Sequence, residues 1–175
     1  MGLFTAHLPT DPLWLELTGL SDRTAAIVAT ALMEDKLGDA IRARLLQDKD
    51  TLNKLFKPTG AIGSLGTKAD LAFLLGIFSK ETRDDIAVAA GIRNKFAHWS
   101  TSTHFEIKDI RKACEEITFL RRLPDADRMG WTSVASPFPN GYARYSFIAF
   151  AVLVSDILMQ LAESPTDYPA MPNGL

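Results

Sequence analysis

Hydrophobic residues recur along most of this chain at the three- and four-residue intervals of amphipathic helices. No stretch between turn signals alternates with the period of two that a β-strand requires. Segments 25–33 and 67–78 are apolar almost all round, which is typical of helices buried on most sides. The pattern predicts an all-α fold, a single-domain bundle of about five helices with a long loop before the last helix. The predicted helices span 21–46, 67–78, 80–98, 106–122 and 142–162, with a short helical turn at 51–56.

The segments between and beyond these helices define the predicted domain organisation. Residues 1–20 contain prolines and no helical period, so we predict an N-terminal arm that can rest one side of Leu13 to Leu17 on the body. The helical bundle domain is expected to span 21–162, and its long loop, 124–142, is rich in Pro, Gly and Ser. Residues 163–175 contain further prolines and a glycine and predict a mobile tail.

The most apolar run, 146–162, raises the question of a membrane span. Asp156 interrupts this run, which is also shorter than the ~20 residues that a spanning helix needs, so we expect a buried core helix and no membrane partner. Residues 1–10 lack the basic and apolar regions of a signal peptide. The single cysteine, Cys114, cannot form an internal disulfide and lies within a helical pattern, which predicts an inert thiol and a reducing cytoplasm. The formal net charge of −2 provides no overall basic field for nucleic acid.

Residues 91–99, GIRNKFAHW, concentrate polar groups at the end of a helical pattern. On a helical wheel, Arg93 falls within a broad apolar arc, and Asn94 and His98 lie together at its edge. An unpaired buried guanidinium is prohibitively costly, so we predict that a carboxylate or several carbonyl groups meet Arg93.

Charged residues within otherwise apolar helices supply the candidate partners. Asp22 and Asp70 are the main acidic candidates, with Glu34 a further one, and Lys68 stands in line with apolar positions of its helix. We predict a buried polar cluster of Asp22, Lys68, Asp70 and Arg93 that joins the first three long helices. Two interpretations stay open: an ion-pair network that fixes helix register, and a catalytic or ligand-binding site.

Other kinds of site have less support in the sequence. The glycine-rich segment 60–68, GAIGSLGTK, opens a helix as phosphate-binding loops do. However, its lysine follows the threonine, against the Walker order, and no buried strand precedes it, so tight turning explains the glycines better. His7, His98 and His104 lack metal-ligand spacing with carboxylates, so neither a metal nor a cofactor is predicted.

Four segments, in this order, resemble the mannitol operon repressor family of bacteria, from about Leu17 to Leu161. They are Ser21-Asp22-Arg23, GAIGSLGTKADLAFLLG at 60–76, IRNKFAH at 92–98, and Arg144-Tyr145-Ser146-Phe147-Ile148. The resemblance implies an all-α protein without a recognisable DNA-reading helix, which regulates transcription through protein partners. Asp70 stands at a usually aliphatic position, and the 124–142 loop carries Trp131 and Phe138, so the regulated pathway stays open.

The six residues from Arg93 to His98 are similar to the Arg-polar-x-x-x-His signature of HEPN domains, which are also helical bundles. Many HEPN domains are metal-independent ribonucleases that pair two copies. The resemblance implies that Arg93 holds the scissile phosphate, that His98 acts as general acid or base, and that Asn94 orients one of the reacting groups. The same signature occurs in non-catalytic members.

Our leading expectation is a cytoplasmic regulator of the mannitol repressor type, a non-catalytic helical module that binds another protein and forms a homodimer. The segment 142–162 is apolar enough that we expect part of it to face the second copy. The alternative is a HEPN-like ribonuclease acting on RNA through Arg93 and His98.

Overall fold

Helices account for nearly all regular structure in the computed structural model, which describes residues 10–98, 103–123 and 141–163. The all-α prediction is confirmed in these ranges, but the count of about five helices is wrong. The described ranges hold α1 (Pro12–Gly19), α2 (Asp22–Arg42), α3 (Lys49–Phe56), α4 (Leu65–Leu74), α5 (Lys80–His98), α6 (Lys108–Glu116), the four-residue α7 (Phe119–Arg122) and α8 (Tyr142–Glu163).

Helix α1 lies inside the segment that was predicted to be an aperiodic arm. The Asp11 carboxylate accepts a hydrogen bond from the Trp14 backbone N–H at 3.0 Å, and Pro12 occupies the first helical position. Trp14 and Leu17 are buried, so this helix packs on the body with one face, as the leucines and tryptophan suggested. Residues 1–9 of the predicted arm, most of the predicted 124–142 loop and residues 164–175 of the predicted tail lie outside the described residues.

The predicted helix 106–122 is interrupted at Ile117 and Thr118. The backbone N–H of Thr118 donates to the Asp85 carboxylate at 2.8 Å, which takes it out of the helical ladder. The chain therefore leaves α6 and restarts in the short helix α7.

Helix α8 is the central helix of the described structure. It contacts α1, α2, α6 and α7, and its most extensive interface is with α2. By length and composition α8 could cross a membrane, but 78% of its apolar window is buried inside the protein, as predicted for a core helix. Most apolar residues of α8 are buried within the chain, and Tyr142 and Met159 are its exposed large hydrophobic residues. The expectation that part of this segment faces a second copy stays a prediction.

An aromatic cluster joins the end of α5 to α8. The Phe96 and Phe105 ring centroids are 4.8 Å apart, and those of Phe105 and Phe147 are 5.4 Å apart. All three side chains are fully buried. The apolar half of the 92–98 segment therefore serves the core.

The turn between α3 and α4 depends on two glycines. A Cβ atom at Gly60 would meet the Leu55 carbonyl and lie 2.6 Å from the Lys54 carbonyl oxygen, and one at Gly63 would lie 2.5 Å from that of Lys57. The Ile62 N–H donates to the Leu55 carbonyl at 2.9 Å, so the turn folds back on the end of α3. This geometry fits the prediction that the glycines serve tight turning.

Candidate functional site

Asp22 belongs to an ion pair with Arg144 of α8, not with Arg93. The Arg144 guanidinium donates to the Asp22 carboxylate, to the Thr18 carbonyl at 2.9 Å and to the Leu20 carbonyl at 2.6 Å. The second Asp22 carboxylate oxygen accepts the Phe105 N–H at 2.9 Å. This node fastens the end of α1, the start of α2, the segment before α6, and α8 to one another.

Lys68 pairs with Glu34 across the interface of α4 and α2. The Lys68 Nζ lies 2.8 Å from the Glu34 Oε1, and the exposed fractions of the two side chains are 9% and 22%. Glu34 was one of the acidic candidates, but its partner is this lysine. Gly38 leaves space beside the lysine, since an added Cβ would lie 3.9 Å from Lys68 Cε.

A groove of about 440 Å³ opens over this pair. Its walls carry charges of both signs, and the Arg42 guanidinium lies over the Phe56 ring at 4.2 Å from the centroid. The lining residues are Glu34, Asp35, Lys36, Gly38, Asp39, Arg42, Phe56 and Lys68. Because acidic and basic groups alternate, the groove has no uniform charge that would select an anion or a cation.

Asp70 lies on the surface, away from the other predicted cluster residues. Its side chain is 66% exposed and meets Arg83 at 3.5 Å. Arg83 pairs more closely with Asp84, at 2.6 Å, and that hydrogen bond is the main reason that the pKa of Arg83 is raised. Asp70 therefore contributes to a surface ion-pair group.

Arg93 is half-buried, and no carboxylate among the described residues forms an ion pair with it. The buried side of α5 runs through Thr82, Asp85, Ile86, Ala89, Ile92 and Phe96. Arg93 stands at the edge of this side, where its long side chain can extend towards solvent. The predicted cluster of Asp22, Lys68, Asp70 and Arg93 is thus not assembled, because three of its members have other partners.

Asn94 and His98 are exposed on the last turns of α5. Trp99, the end of the 91–99 segment, lies outside the described residues. The described structure brings no carboxylate to either side chain by a hydrogen bond or an ion pair.

Asp85 and Arg122 form a buried ion pair that the sequence analysis missed. The Arg122 Nη2 lies 2.7 Å from the Asp85 Oδ2, and the Asp85 side chain is 4% exposed. Burial raises the pKa of Asp85, although hydrogen bonds from Thr118 and Arg122 oppose the shift. On the helical wheel that singled out Arg93, Asp85 lies on the same side as Thr82 and Ile86. This position could have indicated a buried carboxylate.

Cys114 is buried, and burial raises the pKa of its thiol to about 12. A thiol with this pKa has almost no thiolate at neutral pH, in agreement with the predicted inert cysteine. Among the described residues, no group of three or more His, Cys, Asp or Glu side chains is arranged to hold a metal ion.

Comparison with known proteins gives a likeness at the level of structure. No family model matches the chain, and no curated protein matches it. The fold is similar to a chain in the "X-ray structure of the MtlR-HPr complex from Escherichia coli", with a TM-score of 0.63 and 16% sequence identity, over 83% of this chain and 96% of that chain. These comparisons give no support to the HEPN interpretation of Arg93, Asn94 and His98. The likeness supports an MtlR-like, all-helical fold for this chain.

Proposed function

We propose that this protein is a regulator of the MtlR type, which acts in the cytoplasm as a helical module that binds another protein. The observation that carries the proposal is the fold likeness, because it spans 83% of this chain and 96% of a chain from a structure in which MtlR is complexed with HPr. The four sequence segments that resemble the mannitol operon repressor family, in the same order along the chain, support the same function.

The roles of the charged residues also favour binding over catalysis. Arg122 and Arg144 hold helices together through Asp85, which is buried, and Asp22, which is mostly buried. His98 is exposed at a helix end, and no described carboxylate orients it as the partner of a catalytic histidine would. An interaction module needs a stable scaffold with a specific surface, and the buried ion pairs provide the scaffold.

Titration calorimetry with the full chain and purified HPr from Escherichia coli tests this proposal. We expect saturable binding of HPr, and no cleavage when varied RNAs are incubated with the chain in EDTA. His98→Ala should leave HPr binding unchanged if the histidine has no part in the interface.

Two results would overturn the proposal. One is RNA cleavage in EDTA that His98→Ala abolishes, which would establish the ribonuclease alternative. The other is the absence of HPr binding together with tight, sequence-specific binding of duplex DNA by the chain alone.

A further inference from the structure

Residues 42–57 concentrate positive charge on one part of the surface. This basic segment comprises the end of α2, the connection that follows it, and α3. It carries five cationic side chains and two carboxylates, a net charge of +3 in a chain whose formal net charge is −2. The cations are Arg42, Arg44, Lys49, Lys54 and Lys57.

The cations of the basic segment are not neutralised within the described structure. No ion pair among the described residues involves any of them, whereas Lys68, Arg83, Arg122 and Arg144 all have carboxylate partners. Asp48, inside the segment, accepts the Thr51 N–H at 2.9 Å and caps α3. Its negative charge is therefore directed at a helix N-terminus.

Leu46 lies between Arg44 and Lys49 in the sequence, and its side chain is in solvent. It is 90% exposed, more than any other large hydrophobic side chain in the described ranges. The backbone that carries it is held in place, because the Gln47 side chain donates to the Arg42 carbonyl at 2.8 Å and to the Leu45 carbonyl at 2.7 Å. An exposed leucine flanked along the chain by cations resembles, in composition, a small apolar interface contact with a charged rim.

We propose that the basic segment is a docking surface for an acidic segment of a protein partner, whose carboxylates pair with the cations while an apolar side chain covers Leu46. The inference rests on the proposed function, since it names the surface and the chemistry of the partner. Arg42 and Phe56 belong to both the basic segment and the adjoining groove of about 440 Å³, where the Arg42 guanidinium lies over the Phe56 ring.

A protein suits this surface better than a nucleic acid does. Phosphate backbones are bound by cations and hydrogen-bond donors, and an exposed leucine offers them neither. Asp48 and Asp50 interrupt the run of cations in the sequence, and the chain's net charge of −2 also disfavours approach of a uniformly charged polyanion. Acidic side chains on a folded partner can be spaced to avoid these two carboxylates.

Binding of a labelled peptide measures the proposed recognition directly. The probe has glutamates on both sides of a central Leu-Phe pair, and its matched control carries glutamines instead. By fluorescence anisotropy, the full chain should bind the glutamate peptide, with affinity that falls as salt is added. The combined variant Lys49→Glu, Lys54→Glu, Lys57→Glu should weaken binding about ten-fold or more.

Further variants separate charge from apolar contact and from general effects. Leu46→Ser should weaken peptide binding several-fold. The double variant Lys108→Glu, Lys112→Glu changes two exposed lysines of α6. Its affinity for the glutamate peptide should stay within about two-fold of that of wild type. Replacement of the three lysines of the basic segment by glutamine gives a second variant, should charge reversal unfold the chain.

Several outcomes would overturn the docking surface. One is failure of the wild-type chain to bind the glutamate peptide. Another is an α6 variant that binds the peptide as weakly as the triple lysine variant does. A third is duplex DNA that binds more tightly than the peptide, with an affinity that Leu46→Ser does not change. HPr binding that survives in the triple variant would also overturn it, while the proposed function would stand. Peptide binding without any HPr binding would instead count against the proposed function alone.

Discussion

The guanidinium of Arg144 stabilises the junction of α1, α2 and α8. It donates to the Thr18 and Leu20 carbonyls and to the Asp22 carboxylate, whose other oxygen binds the Phe105 N–H. The exposed fractions of the Arg144 and Asp22 side chains are 17% and 23%, so both groups are largely shielded from water. Loss of the arginine would leave a mostly buried carboxylate without its cation.

Arg144→Ala should therefore lower the free energy of unfolding by about 2–4 kcal/mol. Arg93→Ala is the matched control and should cost less than about 1 kcal/mol, since no described carboxylate depends on Arg93. Urea denaturation followed by circular dichroism measures both values. Equal losses for the two variants would contradict this assignment of the main interhelical ion pair.

Asp84 and Asp85 are sequence neighbours with opposite shifts in pKa. Hydrogen bonds from Lys80 and Arg83 hold the pKa of Asp84 below its ordinary value of 3.8. Burial raises the pKa of Asp85 above the same value. The difference arises because one carboxylate faces two surface cations while the other lies beneath α7.

On acidification, Asp85 should take up its proton at a pH above 3.8 and Asp84 at a pH below 3.8. The folded state binds the Asp84 proton more weakly than the unfolded chain does, so the Asp84 contribution to stability is lost as pH falls. Asp85 has the opposite sign, so its contribution is present at low pH and is lost as pH rises through its raised pKa. Carboxyl carbon chemical shifts measured by NMR against pH would reveal a reversed order if these environments are wrong.

At the scale of elements, the connection between α3 and α4 shows what glycine permits. Gly60 and Gly63 approach backbone carbonyls so closely that a Cβ atom would collide with them. Gly66, in the first turn of α4, has only the Ser64 Oγ within 4 Å of such an atom, at 3.9 Å. Three glycines of one segment therefore have different structural roles.

Gly60→Ala and Gly63→Ala should each destabilise the protein by about 1–3 kcal/mol, because backbone atoms must move to admit the methyl group. Gly66→Ala should stabilise it by about 0.5–1 kcal/mol, since alanine favours the helix. Thermal unfolding of the three variants tests this contrast. A melting temperature for Gly60→Ala at or above that of wild type would show that the turn is not as tight as described.

Elements with local signals were predictable from the sequence. The bounds of α5 follow from acidic residues in its first turn and apolar residues at helical spacing, and the structure gives the predicted 80–98. Helix α1 has comparable local signals in Asp11 and Pro12, but its prolines and clustered leucines were interpreted as an arm. The break between α6 and α7 could not be predicted, because Asp85, which binds the Thr118 N–H, lies 33 residues away.

At the scale of the whole molecule, sequence periodicity predicts which faces are buried but not which helices meet. The argument that a semi-buried charge needs a partner was sound for Asp22 and Lys68. However, Asp22 and Glu34 were both offered to Arg93, and Lys68 was given no partner of its own. Asp22 meets an arginine 122 residues away and Lys68 a glutamate 34 residues away. Only the packing of α2 against α8 and α4 selects these pairs from the many charges available.

The helices also differ in how firmly the packing holds them. Helices α2 and α8 share the most extensive interface, whereas α3 makes no extensive contact with any described helix. Helix α3 is attached mainly through Leu52 and Phe56, which are each 7% exposed. Because local opening requires only the loss of local contacts, α3 should open far more often than α2 or α8.

Hydrogen exchange measured by mass spectrometry tests this order. Amides of α2 and α8 should exchange most slowly and together, through global unfolding, and those of α3 should exchange much faster. Phe147→Ala removes a fully buried ring of α8 and should lower the protection of α2 and α8 equally, by about 3–5 kcal/mol. Protection of α3 should stay unchanged, because its local opening breaks the contacts of Leu52 and Phe56 and leaves α2 and α8 packed together.

Leu74→Ala is the control for this experiment, since the Leu74 side chain is 78% exposed and its loss should leave every helix as protected as in wild type. If Phe147→Ala lowered the protection of α3 as much as that of α8, the basic segment would be part of the cooperative core. An element that opens separately can adjust to a partner without unfolding the scaffold, so the exchange rates bear on how residues 42–57 would dock as well as on stability.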